Sequence, residues 1–176
     1  MQIITLAQAK KAPYKDLSIA LGAFDGLHIG HMALIEAVKQ GQGKSAVLTF
    51  DTLPGEYFRA EKRPAHLFTS EEKQWAFEAA GIDVYCEAHF DTHFAQMSSS
   101  SFEKMLFDIF APSLIVAGYN FTYGRGAEGN AQSLKAAGAK HGFDVRIIAP
   151  ILSDGEPVSA SRIRSCIEAG DVSQAA

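Results

Sequence analysis

Five short apolar runs, at residues 17–21, 45–50, 84–88, 114–117 and 145–148, punctuate this chain, and helix-like segments lie between them. Alternation of this kind leaves few architectures open. Parallel neighbours need a long crossover, and a helix supplies it while covering one face of the sheet. The reading is therefore an α/β fold with a mostly parallel sheet and right-handed crossovers. The intervening helices carry their own punctuation. Thr69 and Glu72 have capping-box spacing and open a helix through Ala80, with Gly81 as its stop. Phe102, Met105, Leu106, Ile109 and Phe110 form a single stripe, with residues 98–101 as cap candidates and Pro112 as a barrier. Residues 132–141 read as a further helix ended by Gly142. A chain of 176 residues is long enough for one full core, so residues 1–176 are expected to form one domain.

Ligands of such a sheet bind beyond the carboxyl ends of its strands. That rule singles out the segments after Leu21, Phe50, Ala117 and Ile148. The first reads Gly22-Ala23-Phe24-Asp25-Gly26-Leu27-His28-Ile29-Gly30-His31 and runs into a helical pattern with Met32, Leu34, Ile35 and Val38 on one face. A strand, a glycine-rich turn and a helix N-terminus leave backbone N–H groups free to meet an anion such as phosphate. Neither a P-loop nor a dinucleotide fingerprint is present. Instead, His28 and His31 stand three residues apart, on one side of a helical turn. Two imidazoles beside a phosphate can donate to oxygens that gain charge in a transition state.

Bulk properties exclude several classes. The net charge of −4 gives no nucleic-acid footprint. No apolar stretch is long enough to span a membrane, and residues 1–17 lack a signal-peptide core. Cys86 and Cys166 make neither a disulfide framework nor a zinc spacing, which points to a reducing cytoplasm. His66, His89, His93 and His141 show no metal spacing, and no metal ligands are assigned.

The string His28-Ile29-Gly30-His31 is the signature of the HIGH-type nucleotidyltransferases. The longer stretch from Gly22 resembles the adenylyltransferase module of bacterial FAD synthetases, which usually carry a riboflavin kinase module behind it. The resemblance implies a three-layer, Rossmann-like nucleotidyltransferase fold. It also implies transfer of AMP from ATP to FMN, with Mg²⁺ carried on the ATP. Under it, His28, His31, Asn120 and Arg164 are the catalytic candidates. Gly22, Phe24, Asp25, Gly30, Ser159, Ser161 and Arg162 are the ATP-binding ones.

Three further segments support the likeness. Phe50, Asp51 and Pro54 match the family's flavin loop, with Phe58 at its aromatic position, while Thr52 and Leu53 depart from the pattern. Asn120, Phe121 and Tyr123 match the Gly-x-Asn/Asp-Phe-x-Phe-Gly motif, with Tyr123 in place of the second Phe. Thr52, Pro54, Phe58, Phe121 and Tyr123 are thus the expected flavin contacts. Residues 158–164 resemble Ile-Ser-Ser-Thr-x-x-Arg, with Ala160 replacing one hydroxyl. Two alternatives share these features: another phosphate acceptor with the same chemistry, or a weakly catalytic flavin or nucleotide binder. The absence of second phosphate motifs leads to the expectation that FMN is not made from riboflavin here. Oligomeric state is not legible.

Overall fold

The computed structural model describes residues 1–58 and 64–176. The chain runs β1 (Gln2–Thr5), α1 (Leu6–Lys11), β2 (Leu17–Leu21), α2 (Ile29–Lys39), β3 (Lys44–Phe50), α3 (Pro54–Phe58), α4 (Ser70–Ala79) and β4 (Val84–Ala88). It continues through α5 (Thr92–Ala95), α6 (Ser99–Phe110), β5 (Leu114–Gly118), β6 (Thr122–Tyr123), β7 (Gly129–Asn130), α7 (Ala131–His141) and β8 (Asp144–Ile148). A short hairpin of β9 (Leu152–Ser153) and β10 (Glu156–Pro157) precedes α8 (Ala160–Glu168) and α9 (Val172–Ala175).

Six strands form one sheet in the order β1-β4-β3-β2-β5-β8, and every pairing in it is parallel. The five expected strands are all present. Their side chains alternate between two cores, as strand geometry requires. Ile19, Leu21, Leu48 and Cys86 face a core closed by Leu106, Phe110 and Leu134 from α6 and α7. Ala20, Val47 and Tyr85 face a second core closed by Ile35 and Val38 of α2 and Phe77 of α4. Three layers result, as the resemblance implied.

Helix starts follow the caps. The Thr69 hydroxyl accepts the Glu72 N–H at 3.2 Å, and the Glu72 carboxylate accepts the Thr69 N–H at 2.8 Å. Ser98 caps α6 and Asn130 caps α7. β1 is the main element that periodicity did not predict. It lies at the sheet's edge, only Ile4 of its four residues is buried, and so it lacks the continuous apolar run of a central strand.

The topology places the site. β2 is paired with β3 on one side and β5 on the other, so the strand order reverses there. The crevice beyond the carboxyl ends of β2 and β5 is where open α/β sheets take ligands. The segment leaving β2 at that point is the glycine turn with His28 and His31.

Candidate active site

The turn from Gly22 to His31 is wound tightly. Phe24, Gly26 and Leu27 all have positive φ, at 50°, 79° and 35°. Gly26 has two reasons to be glycine: its φ, and Leu67, whose side chain would lie 2.7 Å from an added Cβ. His28 is the N-cap of α2, and its Nδ1 accepts the His31 backbone N–H at 3.3 Å. Capping and chemistry therefore reside in the same residue. With Nδ1 accepting, a neutral His28 carries its proton on Nε2. The two imidazoles stack, with centroids 3.7 Å apart and planes within 17°. Phe24 backs His31 at 5.2 Å and meets Phe77 edge-on, also at 5.2 Å.

This packing fixes the charge state of the pair. Burial pushes His31 down to about 3, helped by neighbouring His28 and by the Lys73 ammonium. Burial also lowers His28, partly opposed by a backbone hydrogen bond and the Asp25 carboxylate. Both rings are neutral near pH 7. They act as hydrogen-bond donors rather than as cations, and the positive field comes from the α2 N-terminus and from Arg164.

A cavity of about 980 Å³ opens above this floor. It is walled by the segments after β2, β3, β5 and β8 together with the start of α8. That volume is at the upper end of small-molecule sites, roughly 300–1,000 Å³, and suits two substrates side by side. Gly22, Gly30, His28, His31 and Arg164 reach it, as do Ser159 and Ser161 at the α8 N-terminus. From the other side come Pro54, Phe58, Asn120 and Phe121. Tyr119 and residues 149–151 also line it and were not foreseen, since their sequence carries no motif.

Two of the expected contacts, Phe24 and Asp25, border the cavity with their side chains engaged by the protein, and three, Arg162, Tyr123 and Thr52, do not line it. The Phe24 ring is 0% exposed and packs in the core against His31. Asp25 is 2% exposed, and its carboxylate is taken by the Leu67 and Phe68 N–H groups and by Arg164. Arg162 turns away from the cavity. Its Nη1 donates to the Ser153 carbonyl at 2.8 Å and the Glu156 carbonyl at 3.2 Å, and so braces the β9–β10 hairpin. Tyr123 lies behind Phe121, with its hydroxyl donating to Glu103 at 2.6 Å and 3.0 Å from the Ser133 hydroxyl. Alternation along β6 explains this: Tyr123 faces the core and Thr122 the cavity. Thr52 does not line the cavity, whereas Leu53 beside it does.

Two of the histidines without metal spacing have carboxylate partners. His89 lies 2.6 Å from the Asp51 carboxylate and His66 lies 2.8 Å from Glu56. Both pairs hold the segment that carries Phe58. Lys73 is 1% exposed and donates to the Phe50 carbonyl at 3.0 Å. Burial lowers its pKa, and Glu87, Asp25 and Asp51 oppose that shift. Among the described residues no group of three His, Cys, Asp or Glu side chains could hold a metal ion, and no helix is long and apolar enough to cross a membrane.

A parallel sheet with a His-x-Gly-His turn at its switch point defines a nucleotidyltransferase-type α/β domain. Solved structures share this fold. A protein described as a macrolide-efflux protein from Streptococcus pneumoniae superposes with a TM-score of 0.85 at 23% identity, over 99% of this chain and 60% of its own. Pantothenate synthetase from Thermus thermophilus gives 0.61 at 15% identity, over 93% of this chain and 67% of its own. At such identities the likeness carries the fold alone. Residues 10–162 match the FAD synthetase family, and the chain belongs to it. Two relatives carry the name bifunctional riboflavin kinase/FMN adenylyltransferase. The one from Haemophilus influenzae is 29% identical over 98% of this chain and 58% of its own length. The one from Listeria monocytogenes is 32% identical over 89% of this chain and 51% of its own. The chain thus spans about half the length of these curated relatives.

Proposed function

We propose that this protein transfers the adenylyl group of ATP to the phosphate of FMN, giving FAD and pyrophosphate. The observation that carries this reading is the neutral, stacked His28–His31 pair at the N-terminus of α2, facing a cavity large enough for both substrates. A phosphate monoester has a second pKa of about 6, so FMN is mostly a dianion at neutral pH and needs no base. Its oxygen attacks the α-phosphorus of ATP in line. The bond from that phosphorus to the bridging oxygen breaks, and the electron pair leaves with pyrophosphate. Catalysis is then positioning and charge stabilisation.

Within this reading His28 donates from Nε2 to an oxygen of the reacting phosphoryl group. Neutral rings suit the task, because an imidazolium would risk protonating the attacking phosphate. His31 stacks beneath as a second neutral ring and lends its own donor. The α8 N-terminus, with Ser159 and Ser161, holds the β- and γ-phosphates together with Arg164. Asn120 offers a carboxamide to the FMN phosphate, and Phe58, Pro54 and Phe121 enclose the isoalloxazine. Mg²⁺ carried on the ATP would supply neutralisation of phosphate charge, with no carboxylate cluster among the described residues dedicated to it. A cytoplasmic location fits the two free cysteines, of which buried Cys86 has its thiol pushed up to about 12.

The test is direct. Purified protein, FMN, ATP and Mg²⁺ are incubated and the products separated by chromatography. FAD and pyrophosphate should appear in equal amounts. No FAD above a no-enzyme control overturns the reading.

A further inference from the structure

Asp25 holds more of the molecule than an ATP contact would. Its two oxygens accept the Leu67 N–H at 3.0 and 3.1 Å, and one of them also accepts the Phe68 N–H at 3.0 Å. Arg164 Nη2 donates to the same carboxylate, from 139 residues away in sequence. Arg164 Nε meanwhile donates to the Ala65 carbonyl at 2.6 Å. One edge of the guanidinium is therefore held by protein. Nη1 has no protein partner among the described residues, and Arg164 lines the cavity. A planar fork held by one edge presents the other ready to grip phosphate oxygens.

The clamped segment continues to the aromatic wall. Between Ala65 and Leu67 stands His66, which bonds Glu56 of α3 at 2.8 Å. The same Glu56 oxygen accepts the Leu53 N–H at 3.2 Å. Both Leu53 and Phe58 line the cavity. An unbroken set of contacts thus runs from Arg164 on α8, through Asp25 and residues 65–68, to the short helix that carries Phe58.

We infer that Asp25 is a positioning residue that couples the two substrates, by holding Arg164 toward the nucleotide phosphates and tying residues 65–68 to the flavin side. The inference rests on the adenylyl-transfer reading. Nucleotide on the free edge of Arg164 immobilises the clamp, and flavin against α3 immobilises it from the other end. Whichever ligand binds second finds the clamp already ordered, so each tightens the other by the same factor.

The experiment titrates FMN by quenching of its fluorescence, with and without α,β-methylene ATP, which binds but cannot transfer AMP. The wild-type protein should bind FMN about fivefold or more tightly in the analogue's presence, and the analogue equally more tightly in the presence of FMN. Asp25→Asn should bring that factor to within about twofold of unity. A purely structural role would weaken both ligands and leave their ratio unchanged. Should Asp25→Asn fold poorly, Arg164→Lys keeps a cation beside Asp25 but loses the fork, and should lose the coupling too. A wild-type factor near unity, or undiminished coupling in the folded variants, overturns the inference. Coupled binding without FAD formation by the wild type would instead sink the adenylyl-transfer reading and leave this one standing.

Discussion

The floor of the cavity and its aromatic wall are built on opposite terms. The floor, residues 22–31, turns its side chains inward: Phe24 into the core, Asp25 into a buried clamp, His28 onto its own helix and His31 between two rings. The wall, α3, has no buried residue, and Phe58 is 64% exposed. It is held by side-chain bonds at the surface, Tyr57 to Thr92 at 2.9 Å and the His66 and His89 pairs. The difference teaches how work is divided. Under the adenylyl-transfer reading, the groups that would face developing charge are fixed by packing, because misplacement by about an ångström is expensive in rate. The groups that recognise a flat ring are left adjustable.

That division can be attacked at both ends. The largest effect should come from the floor. His28→Ala or His31→Ala should lower turnover by roughly a hundredfold to a thousandfold, the usual result of removing one transition-state donor. For His31→Ala the loss should be accompanied by a lower melting temperature, since Phe24 and His28 lose the ring between them. Turnover within a few-fold of the parent would separate the pair from the chemistry.

Acid should act on the floor next. His31 titrates near 3 when folded and near 6.5 when unfolded. Between those values the unfolded chain binds a proton that the folded one refuses, so stability falls as pH is lowered through 6.5. From this residue the loss at pH 4 is on the order of 3 kcal/mol. Urea unfolding at pH 7.5 and pH 4, compared with His31→Gln, isolates it: the variant should show a shallower pH slope. Equal slopes would mean that His31 is not held neutral.

The wall should respond differently. Phe58→Ala should weaken FMN binding by about 1–3 kcal/mol through lost stacking while leaving the urea midpoint unchanged. Fluorescence titration decides it, and a stability loss comparable to that of His31→Ala would erase the contrast. The smallest effect belongs to His89→Ala. Its ring is largely exposed and paired with Asp51, so FMN affinity should drop less than for Phe58→Ala, with no change in stability.

Much of this was legible in the sequence, for identifiable reasons. Central strands are buried on both faces and read as unbroken apolar runs, whereas β1 at the edge does not. The His-x-Gly-His turn is visible because its glycines and histidines are contiguous. What escaped depends on contacts across long separations. Nothing local shows that Asp25 is filled by residues 67, 68 and 164, or that Arg162 serves the β9–β10 hairpin and Arg164 the cavity, although only one residue separates them. The motif around Asn120 marked an aromatic cluster, yet which ring faces the ligand follows from the pairing of β6 with β7.

The order of the strands has a consequence for how the molecule comes together. β2 and β3 are neighbours in sequence and in space, but β1 pairs only with β4, which puts residues 2–5 against residues 84–87. In synthesis β1 must therefore wait for a partner about eighty residues behind it. The contact between Asp25 and Arg164 waits longer than β1 does, because it closes a loop of 139 residues. Closing such loops slows folding and leaves strand edges open meanwhile. Competence at the phosphate site then comes after β8 has completed the sheet, and a partly folded molecule has its sheet before it has its grip.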